Sequence, residues 1–234
     1  MVNRPRSIDS LLQDGYSVDI GGYLSRGWEL FKRNVGGFIG FAVLLGGINI
    51  GFMVLIAMVD PAAGDPEQPP SAIASLINGI STVISIPLQA GFYVVAFKLV
   101  KQRPTTFSDF FRGFNDFLQL FLASLVSGIF IILGFLLLII PGIYLAVAYS
   151  FVVPLVIERK MEFWEAMETS RKVITKQWFA FFGLGVLMFF INLAGAIACG
   201  LGLLITIPLT YCTYTAAYEA ILGMSLADTG YEPL

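Results

Sequence analysis

The sequence contains no histidine and only two cysteines, Cys199 and Cys212, both in apolar surroundings. Histidine is the commonest general base near neutral pH and the commonest metal ligand, so its absence removes the usual basis for both kinds of site. Two separated cysteines provide neither a zinc site nor a disulfide framework and are interpreted as small packing residues. No Walker A motif, dinucleotide fingerprint or serine nucleophile elbow occurs. We therefore expect a protein that is not an enzyme and has no cofactor or bound metal.

Charged residues are also scarce, at 13% of the sequence, whereas hydrophobic residues make up 57%. Soluble domains contain roughly 25% charged and about 45–50% hydrophobic residues. A chain of 234 residues with this composition cannot bury its apolar surface in one water-soluble core, which predicts a membrane protein. The formal net charge of −2 gives no electrostatic basis for binding nucleic acid.

Basic residues are missing from three long apolar blocks. All fourteen Lys and Arg residues fall within residues 1–35, 98–116 and 158–177. Each block is about twice as long as the roughly 20 residues that one membrane-crossing helix needs. Basic residues next to membrane-spanning segments stay on the cytoplasmic side. The pattern predicts three helical hairpins, each leaving and returning to the cytoplasm, with both termini cytoplasmic.

The predicted fold is an all-α transmembrane domain over residues 36–222, between a cytoplasmic segment (1–35) and a cytoplasmic tail (223–234). Its six predicted spans are 36–59, 72–98, 117–139, 142–157, 178–198 and 201–222. The second is longer than one crossing requires, so it must tilt, kink at Pro87 or begin with an interfacial turn. The fourth is short and contains Pro154, and the third and fourth are joined by a tight turn at Pro141-Gly142.

Each hairpin follows an amphipathic stretch, at the end of segment 1–35 and over residues 106–116 and 162–177. Thr106 followed three residues later by Asp109 is a capping-box start. Such helices lie flat in the membrane interface, or they cover the end of the bundle or bind a partner, and the sequence leaves these alternatives open. The aromatic residues predicted to form this interface or partner surface are Trp28, Phe31, Phe107, Phe110, Phe111, Phe114, Phe163 and Trp164.

The hairpins are similar to one another in sequence. Residues 38–49 align with residues 181–192 without gaps and are identical at six of twelve positions. Ile86-Pro87-Leu88 likewise matches Ile207-Pro208-Leu209, and the middle hairpin keeps Ile140-Pro141. Because every copy begins and ends on the same side, the pattern predicts parallel repeats around an axis along the membrane normal. Parallel hairpins suit a bundle, a scaffold or a pore.

Few polar residues interrupt the predicted spans. The candidate intramembrane polar contacts are Asn49, Gln89, Lys98, Asn192 and Glu219. Asn49 and Asn192 occupy equivalent repeat positions, so they are predicted to face a common axis and to hydrogen-bond across it. They either hold helices together, at roughly 0.6–2 kcal/mol each, or line a substrate path. Lys98 and Glu219 each follow a repeat proline by eleven residues, and we predict that they pair near the cytoplasmic ends of their helices.

Short motifs recur in and around the fourth predicted span and before the first. They are Pro141-Gly142-Ile143-Tyr144, Pro154, Glu158, Glu165-Ala166 and Ser170, with Trp28, Phe31 and Asn34 upstream. Together they resemble bacterial six-helix integral membrane proteins of unknown function, a group that includes the membrane domain fused to some glycerophosphodiester phosphodiesterases. The resemblance covers most of the chain and implies six helices with cytoplasmic amphipathic segments, in a bacterial inner (plasma) membrane or an internal membrane continuous with it. It does not imply phosphodiesterase activity, because the soluble catalytic domain and its metal ligands are absent.

These observations favour a non-enzymatic scaffold or accessory subunit for other membrane proteins. The expected partners are membrane lipids and other membrane proteins or further copies of the chain. The alternative is a transporter or channel for a lipid or a small apolar solute, because Pro87, Pro141, Pro154 and Pro208 could break helices around a cavity. A third interpretation, regulation of membrane lipid composition, rests only on the resemblance.

Overall fold

The computed structural model describes residues 6–60, 68–198 and 200–225, and these ranges contain helices and no β-strand. The helices are α1 (Ile8–Asp14), α2 (Ile20–Arg33), α3 (Val35–Val59), α4 (Ala72–Val100), a 3-10 helix (Phe107–Asp116), α5 (Phe117–Leu137), α6 (Ile139–Ala148), α7 (Val152–Arg159), α8 (Phe163–Thr175), α9 (Trp178–Ile197) and α10 (Leu203–Leu222). Cys199 and the predicted tail beyond residue 225 lie outside the described residues.

Five helical stretches are long and apolar enough to cross a membrane. They are Val35–Val59, Ala72–Val100, Phe107–Leu137, Ile139–Arg159 and Trp178–Ile197. This confirms the coarse prediction of an all-α, multi-pass membrane protein. Helix α10 falls short of the same criterion in the described residues, because threonines, tyrosines and Glu219 dilute its apolar residues.

Helices α4 and α10 form the centre of the bundle. Helix α10 packs against α2, α3, α4 and α9, and α4 packs against α3, α5, α7 and the 3-10 helix. Both are buried mainly in the half that follows their internal prolines, Pro87 and Pro208. The more apolar α3, α5 and α9 bury few residues. Less apolar helices at the centre and more apolar helices outside are expected in lipid, where an apolar surface needs no shielding and polar groups must find partners inside the bundle.

The middle hairpin differs from its prediction at the turn. The chain reverses at Leu138, which is extended, and α6 begins at Ile139. Pro141 therefore lies in the first turn of α6, where its missing N–H is no loss. The reversal is tight because Gly134 faces Gly142: a Cβ on Gly134 would lie 2.9 Å from the Gly142 nitrogen. The turn predicted at Pro141-Gly142 is thus wrong by about three residues.

The predicted fourth span is also interrupted, and Pro154 is not the cause. Pro154 lies in the first turn of α7, and the break falls between Ala148 and Val152. Ser170 of α8 supports the break from the side: its hydroxyl donates to Ala148 O (2.7 Å) and accepts from Phe151 N (3.1 Å). The two backbone groups that lose their helical partners at the break are therefore hydrogen-bonded inside the protein, as a broken membrane helix requires.

The amphipathic segments α2, the 3-10 helix and α8 gather at one end of the bundle, here called the basic end. Helix α2 packs on α10, the 3-10 helix on α4, and α8 on α7. Tyr16, in the segment between α1 and α2, links this segment to α8, since its hydroxyl donates to Val173 O at 2.7 Å. Burial raises the pKa of Tyr16 above its ordinary value. The Arg171 guanidinium beside Glu168 keeps the pKa of that carboxyl below its usual range.

Candidate ligand cavity

A cavity of about 590 Å³ opens between α3, α4, α9 and α10. Its lining consists of Ala42, Leu45, Gly46, Asn49, Gln89, Phe92, Asn192, Gly200, Leu203, Leu204, Ile207, Thr210 and Tyr211. Most of these side chains are apolar, and the polar ones are all uncharged. A mostly apolar cavity with a few polar groups is the usual composition of a small-molecule site.

Helix α3 lines the cavity with one face, and two of its four lining residues, Ala42 and Gly46, are small. Ala42, Leu45, Gly46 and Asn49 recur at the spacing of one helix face. Gly46 illustrates the result: a Cβ built on it would meet no atom within 4 Å. Small residues normally let membrane helices approach closely. Here they border open space instead.

Two of the polar lining residues connect neighbouring helices. The Tyr211 hydroxyl of α10 donates to Gln89 Oε1 of α4 at 3.0 Å. The Asn192 amide of α9 donates to Thr210 Oγ1 of α10 at 2.9 Å and to Met188 O of its own helix at 2.8 Å. These contacts fix the orientation of the polar groups around the cavity.

Asn49 and Asn192 line the same cavity but do not hydrogen-bond to each other. The Asn49 amide donates within α3, to Leu45 O at 2.8 Å, and Asn192 uses its amide hydrogens on Met188 and Thr210. The predicted bond across a common axis is therefore wrong, since the Asn49 amide bonds within its own helix and the Asn192 amide bonds to its own helix and to α10. Asn192 Oδ1 is buried and has no hydrogen-bond partner among the described residues.

A second cavity, of about 380 Å³, adjoins the first through Asn49. It lies between α3 and α4 and includes Asn78 and Ser81 of α4 in its lining. These residues belong to the halves of α3 and α4 that are remote from the basic end. The two cavities therefore place uncharged polar side chains at successive levels from that remote end to the level of Gln89.

Aromatic rings close the larger cavity toward the basic end. Phe92 stacks on Tyr211 with ring centroids 4.9 Å apart, and Tyr93 meets Tyr211 edge-on at 5.0 Å. Behind them, Phe41 stacks on Phe110 of the 3-10 helix at 4.5 Å. We call Phe41, Phe92, Tyr93, Phe110 and Tyr211 the aromatic layer.

Lys98 and Glu219 lie beyond this layer, at the basic end, and do not pair with each other. Lys98 Nζ is 2.7 Å from Asp109 Oδ2, and Glu219 Oε2 is 3.3 Å from Arg26 Nε. The predicted pair is wrong because each amphipathic segment supplies a nearer partner of opposite charge. The sequence identifies Asp109 as part of a capping box, and its carboxylate accepts from Thr106 N at 2.7 Å. The ion pair of Asp109 with Lys98 does not follow from the sequence.

Glu158 is another buried group at the basic end that sequence reasoning did not place in a site. It accepts from the Tyr218 hydroxyl (3.0 Å) and from Ser225 N (2.6 Å), and it lies 3.4 Å from Lys101 Nζ. These contacts join α4, α7 and α10. In the sequence, this role is indicated by the position of Glu158 directly after an apolar run and before Arg159-Lys160.

The predicted aromatic surface divides into a buried and an exposed part. Phe31 and Phe110 are buried in the bundle, and Phe163 packs partly against it. Trp28 is 42% exposed and Trp164 is 56% exposed. The other exposed members are Phe107, Phe111 and Phe114. The amphipathic segments thus cover the end of the bundle with one face and leave aromatic rings outside.

Comparisons with protein-family models, curated proteins and solved structures give no match for this chain. The chemistry of the cavity is therefore the basis for assigning a function.

Proposed function

We propose that the chain is a non-enzymatic membrane protein that binds a lipid or another largely apolar solute in the cavity between α3, α4, α9 and α10 and transfers it within the membrane. The observation that carries the proposal is the 590 Å³ space itself, lined by Asn49, Gln89, Asn192 and Tyr211 among apolar side chains. Its volume lies within the range of about 300–1,000 Å³ that is usual for small-molecule sites.

The polar groups support this function over a purely structural role. Gln89 and Asn192 each hold two helices together, but the one hydrogen bond that Asn49 forms with a described residue stays within α3. A polar side chain in a membrane helix that forms no hydrogen bond to another helix is expensive to keep, and such residues commonly mark a functional path. Asn49 also borders both cavities, which supports a route from the remote end of the bundle to the level of Gln89.

Filling the cavity from α3 should abolish ligand retention. In Gly46→Leu the new side chain enters the cavity, whereas Gly47→Leu adds the same side chain at a neighbouring position that does not line it. We expect native mass spectrometry in a gentle detergent to find a lipid-sized molecule on the wild type and on Gly47→Leu. Gly46→Leu should retain at least about tenfold less, a change of about 1.4 kcal/mol. Equal retention by the two variants, at equal thermal stability, would show that the cavity is not the site.

A scaffold or accessory role is the second candidate, and the exposed rings of Trp28, Phe107 and Trp164 favour it. Exposed aromatic side chains are enriched at protein interfaces. The same purified sample separates the two functions, since a stoichiometric protein partner would support the scaffold. Regulation of membrane lipid composition is a broader role that a lipid-binding cavity would serve.

We further propose that α10 is a sixth span and that the bundle is built from three parallel hairpins. Helix α10 has 20 residues, which at 1.5 Å each give about 30 Å, enough to cross the hydrocarbon core. Phe97, Phe151 and Tyr218 each follow a repeat proline by ten residues. Tyr218 contacts both others edge-on, with ring centroids 5.3 and 5.6 Å apart. Such a meeting of equivalent residues is expected around a pseudo-threefold axis.

Six spans with a cytoplasmic basic end predict where fused reporters are active. A reporter that works only outside the cytoplasm should be silent after Leu234 and active when inserted between Asp60 and Gln68. The physical reason is that basic residues next to the spans remain cytoplasmic. Activity of the fusion after Leu234 would require an odd number of spans or the opposite orientation. A cytoplasm-specific reporter at the same two sites is the reciprocal control.

A further inference from the structure

We infer that the cavity takes a neutral single-chain lipid with a hydroxyl head, such as a long-chain alcohol or a monoacylglycerol, and rejects lipids with an ionised head. This inference rests on the proposed function and narrows its substrate class. It is carried by the charge, the hydrogen-bonding groups and the size of the cavity.

The charge of the lining excludes an ionised head. None of the described residues that line the cavity is charged. Lys98, the nearest cation along α4, lies nine residues after Gln89, a rise of about 13.5 Å. It is already paired with Asp109 at 2.7 Å, and the aromatic layer lies in between. A phosphate or carboxylate in the cavity would therefore be an unpaired charge in a low-dielectric setting, which strongly disfavours its binding.

The polar groups suit a hydroxyl, which both donates and accepts. Asn49 offers an acceptor: its amide nitrogen donates to Leu45 O, and its Oδ1 accepts from no described residue. Gln89 offers a donor: its Oε1 accepts from Tyr211, and its amide nitrogen donates to no described residue. A hydroxyl head that bonds either group would satisfy a polar atom that has no other partner among the described residues.

The remaining lining suits one hydrocarbon chain. Leu203, Leu204 and Ile207 of α10 and Leu45 of α3 form an apolar wall beside the polar groups. A volume of about 590 Å³ accommodates one drug-sized molecule, which corresponds to a single chain with a small head. The polar groups and the apolar wall together match an amphipathic molecule with one tail.

Three photoreactive probes test the inference. They carry the same saturated chain and the same diazirine position, and they differ only in the head: a hydroxyl, a carboxylate or a phosphate, the last two ionised. The purified full-length protein in gentle detergent is irradiated with each probe, and labelled peptides are mapped. We expect the hydroxyl probe to label α3 and α10 at least about tenfold more than either ionised probe. Asn49→Leu should reduce this labelling severalfold, and Gly47→Leu should leave it unchanged.

The outcomes separate this inference from the proposed function. If an ionised probe labels the same peptides as strongly as the hydroxyl probe, and Gly46→Leu abolishes both, the head-group inference is wrong and the cavity still binds lipid. If no probe gives labelling that Gly46→Leu abolishes, both the inference and the proposed function are wrong.

Discussion

Gly91→Ala is expected to lower the free energy of unfolding by about 3 kcal/mol, at the upper end of what overpacking usually costs. Gly91 is where α4 meets the 3-10 helix, and a Cβ there would overlap the carbonyl oxygen of Phe110. The contact is reciprocal, since a Cβ on Gly113 of the 3-10 helix would overlap the carbonyl oxygen of Pro87. Neither backbone can yield without separating the two helices. Denaturant or thermal unfolding in detergent, followed by circular dichroism, measures the loss.

Gly79→Ala is the matched control for this prediction. Gly79 lies in the same helix, and a Cβ there would meet no atom within 4 Å. Alanine is favoured over glycine in a helix by roughly 0.5–1 kcal/mol, so the control should be as stable as the wild type or slightly more stable. Equal stability of the two variants would mean that α4 and the 3-10 helix do not pack this closely.

Asp109→Leu should also cost about 3 kcal/mol, because it leaves Lys98 charged and without its partner. The Asp109 carboxylate is fully buried and lies 2.7 Å from Lys98 Nζ and 3.0 Å from Arg112 Nε. Removing one member of a buried pair is far more damaging than removing both. The double variant Asp109→Leu with Lys98→Met is therefore expected to recover part of the stability. The free energies of unfolding of the wild type, the two single variants and the double variant complete a double-mutant cycle.

Glu29→Gln provides the exposed comparison. Glu29 pairs with Arg26 at 3.4 Å, and its side chain is 57% exposed. Exposed pairs are worth about 0–1 kcal/mol, so this change should be nearly silent.

A double variant of Asp109→Leu with Lys98→Met that is as unstable as Asp109→Leu alone would show that the Lys98–Asp109 pair is not the cause of the loss.

The helices could be predicted from sequence because their signals are local. Apolar runs between basic clusters predict helices close to where α3, α4 and α9 begin and end. The Thr106–Asp109 capping box correctly predicts the start of a helix, although the helix that follows is a 3-10 helix. Caps and hydropathy depend on a few adjacent residues, so one sequence is enough to read them.

The partners of buried groups could not be predicted, since they depend on how the helices come together. Lys98 and Glu219 have equivalent places in the repeat, yet each pairs with the amphipathic segment packed on its helix. The break before α7 depends on Ser170, which is nineteen residues from Phe151 along the chain. Asn49 and Asn192 are predicted to share a location, and they do line one cavity, but each amide bonds to other acceptors.

The aromatic layer has a consequence for the membrane as an electrical barrier. An ion that entered the cavity would find no charged lining residue among those described and would next meet the stacked rings of Phe92 and Tyr211, 4.9 Å apart. Phe41 and Phe110, stacked at 4.5 Å, stand behind them. An ion without water or a counter-charge cannot pass such a layer at a useful rate. The bundle can therefore hold a polar-lined space inside the membrane without opening a path for ions.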